Sequence, residues 1–169
     1  MPTGGHDIAM ALRAAYWAMH RQADALLQPH GVTANQFVLM SVLAEHEGLT
    51  QQELVRHANS DPNTVRAMLL LLQRTGLVSR RPHPTDGRAR LVMLTDKGQR
   101  TYTALWTKSQ AFHEQLVAAI GPDAAPEFVR QLRSLENALT HRDRRRATQA
   151  ERQSSPPQSR KSFLRRSVL

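Results

Sequence analysis

Apolar residues along this chain fall at helical spacing nearly everywhere, interrupted once by two short strand-like runs. Ile8, Leu12, Ala15, Met19 and Leu26 recur at intervals of three, four and seven, which lines one face of a helix over 7–28. Pro29-His30-Gly31 breaks it. Thr33-Ala34-Asn35-Gln36 has the form of a capping box and predicts a second helix to about Glu45, with Phe37, Met40 and Leu43 or Ala44 inward. A second box, Thr50-Gln51-Gln52-Glu53, opens a short helix over about 51–58 that buries Leu54, Val55 and Ala58. Ser60 or Asp61 then serves as N-cap, with Pro62 in the first turn, for a helix carrying Val65, Met68, Leu69 and Leu72 on one face. Gly76 supplies its C′ position.

The strand-like runs are Leu77–Arg81 and Arg90–Leu94, joined by His83-Pro84-Thr85-Asp86-Gly87-Arg88-Ala89. Pro84 presets φ, and Asp86 and Gly87 tolerate turn geometry, so the segment predicts a β-hairpin with a long tip. Thr95-Asp96 caps a long helix to about Ile120, with Tyr102, Leu105, Trp106, Phe112, Leu116, Val117 and Ile120 at helical spacing. Gly121-Pro122-Asp123 stops it. A last helix over about 124–141 carries Phe128, Leu132, Leu135 and Leu139 as a narrow coiled-coil-like seam. From Arg142 the pattern dissolves, and 142–169 reads as a disordered basic tail. The expectation is a mainly α fold with a small β-hairpin wing: four helices, the hairpin, then two helices.

Charge is distributed unevenly. Residues 142–169 hold nine Lys/Arg against two Asp/Glu, and 50–100 hold nine against four, while the remainder is net acidic. The positive field of the folded part therefore sits on the middle third, as expected of a chain that meets DNA there. With no cysteine there is no disulfide framework, thiolate metal site or thiol switch. Eight histidines are present, but none pairs at i, i+4 with another, so no metal site is expected. No nucleophile–base pair, carboxylate cleft or Gly-rich phosphate loop suggests an enzyme, and no cofactor is implied. No apolar run approaches the roughly 20 residues of a membrane span, so a cytoplasmic protein with no membrane partner is expected.

Two capped helices joined by about four residues, over about 50–75, describe a helix-turn-helix. Opposite the core face of its second helix lie Asn63, Thr64, Arg66 and Ala67, with Leu70 further along. Asn and Arg can read adenine and guanine edges in a major groove, and the Thr64 methyl can meet that of thymine. Thr50 and Gln51, at the start of the supporting helix, can donate to a phosphate. In the hairpin, Arg80, Arg81, Arg88 and Arg90 crowd together with only Asp86 to neutralise or orient one of them. An arginine at the tip suits a narrow minor groove; an Asp86–arginine salt bridge that stiffens the turn is the plainer alternative.

The stretch from Gly76 to Gly98 resembles the signature of the multiple-antibiotic-resistance regulator (MarR) family. Gly76-Leu77-Val78-Ser79-Arg80 leads into the wing, Asp86-Gly87-Arg88 forms its tip, and Val92-Met93-Leu94-Thr95-Asp96-Lys97-Gly98 closes it. Thr33-Ala34-Asn35-Gln36-Phe37 is similar to the family's opening of the second helix, and the resemblance covers about 6–141. It implies an intertwined winged helix-turn-helix homodimer, with dimerisation helices at 7–28 and 101–141, a DNA-binding lobe at 33–100 and the wing at about 77–95. It also implies a transcription regulator, in the usual case a repressor released by a small-molecule effector, on a pseudo-palindromic double-stranded operator. Carried over by position, Arg88 is the minor-groove arginine with Asp86 as its stabilising partner, and Pro62, Asn63, Thr64 and Arg66 supply major-groove readers. A small aromatic or phenolic effector is implied, for which Arg13, Tyr16, Trp17, His20, Met40, Tyr102 and Trp106 are candidates; plain core or dimer seam is the alternative for each. The basic tail departs from the family pattern. Two other functions remain open, a sequence-tolerant architectural DNA binder that uses the tail and a metal-responsive regulator.

Overall fold

The computed structural model describes residues 4–154, and of residues 141–154 only the course of the helix. The chain divides into two compact units, one ending at Gln115 and the other beginning at Leu116. The first runs through α1 (Gly5–Leu27), a single 3₁₀ turn (Gln28–His30), α2 (Ala34–Ala44), β1 (Leu49–Thr50), α3 (Gln51–His57), α4 (Pro62–Arg74), β2 (Val78–Pro82), β3 (Arg90–Leu94) and α5 (Asp96–Lys108). The unit boundary falls within α6 (Gln110–Ile120), and the second unit is dominated by α7 (Ala125–Ser154).

The helix starts are set by side chains that satisfy the orphan amides of a first turn. Thr33 accepts from the Gln36 amide at 3.2 Å, while Gln36 accepts from the Thr33 amide at 2.9 Å. Thr50 and Glu53 repeat the box at 3.3 and 2.8 Å. At α4 the N-cap is Asp61, whose Oδ1 accepts from the Asn63 and Thr64 amides at 3.0 and 2.9 Å. The Thr50 amide, followed by the Thr50 hydroxyl, holds the Glu53 carboxyl below the usual carboxylate range. The hydroxyl and then the amide of Thr64 do the same for Asp61. A further cap comes from another helix: Asp24 of α1 accepts from the Ala34 amide at 2.7 Å.

The core of the first unit lies among α2, α3, α4, the sheet and α5, where Leu39, Met40, Leu54, Val65, Leu69, Leu72, Val92 and Leu105 are all but sealed from solvent. The inward face expected of α4 is the observed one. The expected face of α1 is not covered by its own unit. Leu27 is its one buried residue, and Ile8 stays 47% exposed, as do Tyr16, Trp17 and Met19 to similar degrees. Within the second unit, α7 likewise leaves Phe128, Val129, Leu132 and Leu139 open, Leu139 to 56%.

The sheet has three antiparallel strands in the order β1-β3-β2. Val78 to Pro82 pair with Leu94 to Arg90 in the expected hairpin, while Leu49 and Thr50 add an unexpected strand opposite Val92 and Leu91. Two residues are too few to show a period. Their pairing sets the start of α3 beside the hairpin.

A dense joint closes the hairpin's base. Thr95 donates its amide to the Leu77 carbonyl at 3.1 Å and its hydroxyl to the Gly76 carbonyl at 2.7 Å, and it accepts from the Gly98 amide at 3.0 Å. Lys97 reaches the Thr75 carbonyl at 2.8 Å. Gly76 has φ +73°, the left-handed conformation expected of a helix C′ residue. At Gly98 a Cβ would lie 2.0 Å from the Leu77 carbonyl oxygen, so only glycine lets α5 approach β2 this closely.

Two boundaries depart from expectation. The long helix to Ile120 is broken at Ser109, which is buried and donates its hydroxyl to the Trp106 carbonyl at 2.8 Å. Thr103 and Thr107 also back-bond, to the Gln99 and Thr103 carbonyls, and such bonds bend a helix without disturbing its apolar period. At the other end α7 continues to Ser154, so 142–154 are helical where loss of pattern at Arg142 suggested a disordered tail. The rest of that tail lies outside the described residues.

Gly98→Ala is expected to lower stability by about 3 kcal/mol, the upper range for forcing a methyl into a packed site, read as a fall in the urea midpoint. The caps predict an acid response. The folded-state values of Glu53 and Asp61 are depressed, so their stabilisation is present above the ordinary carboxylate range of about 4 and fades as pH falls through the lowered values. Glu53→Gln with Asp61→Asn retains acceptor oxygens without that charge. The pair is expected to flatten the acid limb of Tm against pH, measured by scanning fluorimetry.

Candidate nucleic-acid interface

The helix-turn-helix consists of α3 and α4, joined at their starts by Gln51, which donates to the Pro62 carbonyl at 3.5 Å. Pro62, Asn63, Thr64, Arg66, Ala67 and Leu70 are all exposed along α4. The Asn63 and Thr64 amides are already committed to Asp61, so this helix start offers side chains to a ligand more than free backbone donors. Thr50 is similarly committed: its hydroxyl donates to Glu53 at 2.8 Å and accepts from the Glu53 amide.

The wing, made of β2 and β3, brings Arg80, Arg88 and Arg90 to one concavity of about 460 Å³, with Thr50, Gln51 and Gln52 of the α3 start on the same lining. Asp86, the one carboxylate of that lining, shares it with three guanidinium groups. The partial positive charge of a helix N-terminus adds to the same sign. Gln52 was missed in the sequence, where nothing distinguishes it from any exposed residue of a first turn. Arg81, the fourth arginine of the hairpin, is not part of that lining.

Asp86 shapes the tip through the main chain. Its Oδ1 accepts from the Arg88 amide at 2.9 Å, and its carbonyl accepts from the Ala89 amide at 3.1 Å. Among the described residues it makes no ion pair with a wing guanidinium, so the salt-bridge alternative gives way to a turn held by backbone bonds. The Arg88 side chain is left exposed.

The effector candidates fall into separate groups. Tyr16, Trp17 and His20 form an aromatic cluster on α1, with ring centroids 5.5–5.9 Å apart; Tyr16 and Trp17 are exposed, His20 is half-buried, and Arg13 is exposed on the same helix. His20 pairs with Asp24 at 3.1 Å. Tyr102 and Trp106 of α5 lie 6.0 Å apart, with Phe37 of α2 stacked on Tyr102 and His113 of α6 against Trp106. Met40 is wholly buried among core side chains. Among the described residues no group of three or more His, Asp or Glu is placed to share a metal ion, and no helix is long and apolar enough to cross a membrane.

Comparison with known proteins agrees with this geometry. The model of the MarR family matches residues 32–89, which run from the start of α2 into the wing. The helix-turn-helix transcriptional regulator YwoH of Bacillus subtilis (strain 168) is 30% identical over 98 residues, covering 58% of this chain and 71% of the relative. The structure of the transcriptional repressor CouR bound to a 23-mer DNA duplex is similar at 25% identity and TM-score 0.69, over 75% of this chain and 89% of that one. The structure of NadR in complex with 4-hydroxyphenylacetate is similar at 24% identity and TM-score 0.68, over 80% of this chain and 97% of that one. With its sequence match, its winged helix-turn-helix and its arginine-bearing wing, the chain belongs to the MarR family of transcription regulators.

Proposed function

We propose that this chain is a homodimeric repressor that binds a pseudo-palindromic double-stranded operator through α4 and the wing, and that a small aromatic or phenolic molecule releases it. One observation carries the DNA reading. Arginines at 80, 88 and 90 converge with the start of α3 on a single basic concavity, beside a helix whose outward face is polar. Arg66, Asn63, Thr64 and Pro62 are the major-groove readers, Arg88 is the minor-groove arginine, and Gln51, Gln52, Arg80 and Arg90 hold phosphate. Thr50 serves by anchoring α3, since its hydroxyl is spent on Glu53. In domain terms 33–100 is the DNA-binding lobe, and 7–28 with 101–141 are the dimerisation helices. The uncovered apolar faces of α1 and α7 support the dimer, because such surface is costly to leave in water on one chain. The reading assigns no catalytic step and sets the protein in the cytoplasm.

For the effector, Tyr16, Trp17 and His20 of α1 and Tyr102 and Trp106 of α5 are the aromatic surface available. Met40, sealed in the core, is withdrawn from direct contact and supports from behind. The phenol bound by NadR is a compound of the proposed class.

Light scattering at micromolar concentration is expected to give twice the 19.0 kDa chain mass. Fluorescence anisotropy on an operator from an adjacent promoter and on a scrambled duplex tests the base reading. Arg66→Ala is expected to cost about 1–3 kcal/mol per half-site on the operator and little on the scrambled duplex. Arg88→Ala is expected to lower the specific-to-random ratio most where the wings meet narrow A·T-rich grooves. Equal affinity of the native protein for both duplexes would favour a sequence-tolerant binder instead.

A further inference from the structure

The tip of the wing is organised by a side chain that makes no part of the basic concavity. Between β2 and β3, the His83 amide donates to the Ala89 carbonyl at 3.2 Å and closes the base of the loop. The His83 ring then turns inward along the chain. Its Nδ1 accepts from the Thr85 amide at 3.3 Å and from the Asp86 amide at 3.2 Å, and lies 3.3 Å from the Thr85 hydroxyl. A side chain at position i that accepts from the amides of i+2 and i+3 is the arrangement by which Asp, Asn, Ser and Thr stabilise turns, here made with a ring nitrogen. The next link follows directly, since Asp86 accepts from the Arg88 amide. The bonds run in series, the Arg88 amide donating to the Asp86 carboxylate and the Asp86 amide to the His83 ring.

We infer that His83 is the positioning residue of the wing, its unprotonated Nδ1 holding the tip in the turn that presents Arg88, so that protonation of the ring releases the tip and uncouples sequence preference from overall DNA affinity. A ring nitrogen that receives amide protons cannot itself carry one, so in the ordered tip the ring is neutral with its proton on Nε2. Once doubly protonated, the ring confronts the Thr85 and Asp86 amides with a donor, and those bonds are lost. Its new charge acts the other way on DNA, because an added cation favours any duplex alike. Affinity for random DNA is thus held or raised while the aimed contact weakens. The charged groups that face the ring are Glu53 of α3, with Arg56 acting on that carboxylate, and Asp86, whose amide the ring holds; Arg80, Arg81, Arg88 and Arg90 are the other charges of the same hairpin. The inference rests on the wing being a DNA contact, and its test separates the two.

Three forms of the full chain are compared from about pH 8 to 5.5, the span in which imidazoles ordinarily titrate: wild type, His83→Asn and His83→Leu. Asparagine offers an oxygen acceptor to the same amides and does not titrate. The free protein is followed by the NMR shifts of the Thr85, Asp86 and Arg88 amides, and binding by the ratio of operator to scrambled-duplex affinity. In wild type the tip amides are expected to shift with the ring, and the ratio to fall roughly fivefold, the size of about one lost hydrogen bond over the two wings together. His83→Asn is expected to keep the high ratio with that pH dependence removed, and His83→Leu to be low throughout. Tip amides that ignore the ring's titration, or an Asn variant no better than the Leu variant, overturn the inference. Tip amides that follow the ring while the ratio stays flat also overturn it, and trace the failure to the wing as a DNA contact.

Discussion

The close approach of Gly98 to the Leu77 carbonyl is the contact on which the arrangement of α4, the wing and α5 depends. Three elements meet there: the end of α4, the first residue before β2, and the first turn of α5. Thr95 joins them with bonds to Gly76, Leu77 and Gly98, and Lys97 adds a fourth to Thr75. Because the main chain of β2 is held against the N-terminus of α5, the outgoing and returning strands leave one point in a fixed direction. The orientation of α4 relative to the wing follows from it, since Gly76 and Leu77 are the residues that connect them.

From that base the interface is assembled by short-range means. β3 is the central strand and takes β1 on its other side, which carries the start of α3 to the wing. Basic side chains are thereby collected from both sides of the hairpin without any of them being buried, and like charges in water at this spacing cost little. Desolvation is postponed until an anion arrives. The carboxylates nearby have backbone tasks, Glu53 and Asp61 as caps and Asp86 within the tip. Each steadies its turn in that role, while three arginines against one carboxylate leave the concavity net positive.

What could be read in the residues alone was what is encoded within four positions of chain. Thr33 with Gln36, Thr50 with Glu53, and Asp61 before Pro62 announce their helices because cap and amide are neighbours in sequence. The α4 face was legible for the same reason, and the hairpin was legible from its turn residues, with β2 lying one residue later than expected. β1 was not, because a two-residue strand carries no period and its partner lies some forty positions away. The cap that Asp24 places on α2 and the need for glycine at 98 were hidden likewise, each depending on a distant segment. The break at Ser109 escaped because apolar spacing continues through it. For the site, the residue types of the wing pointed to an anion. Asp86 is legible as a turn residue, but that its partner is the Arg88 amide and not a guanidinium is not, and His83 is not legible at all because histidine is not a usual turn residue.

A hairpin clamped at its base and closed by local bonds at its tip is also an arrangement that can change length at one end only. Residues 75–78 and 94–98 are in register with each other through backbone contacts, so an inserted or deleted residue there would move α5 along its axis and rotate it by about 100°. Between His83 and Ala89 a single carbonyl–amide bond defines the closure, and an extra residue inside it displaces nothing beyond the loop. A longer or shorter tip would therefore alter how far the wing projects while the rest of the lobe stays fixed.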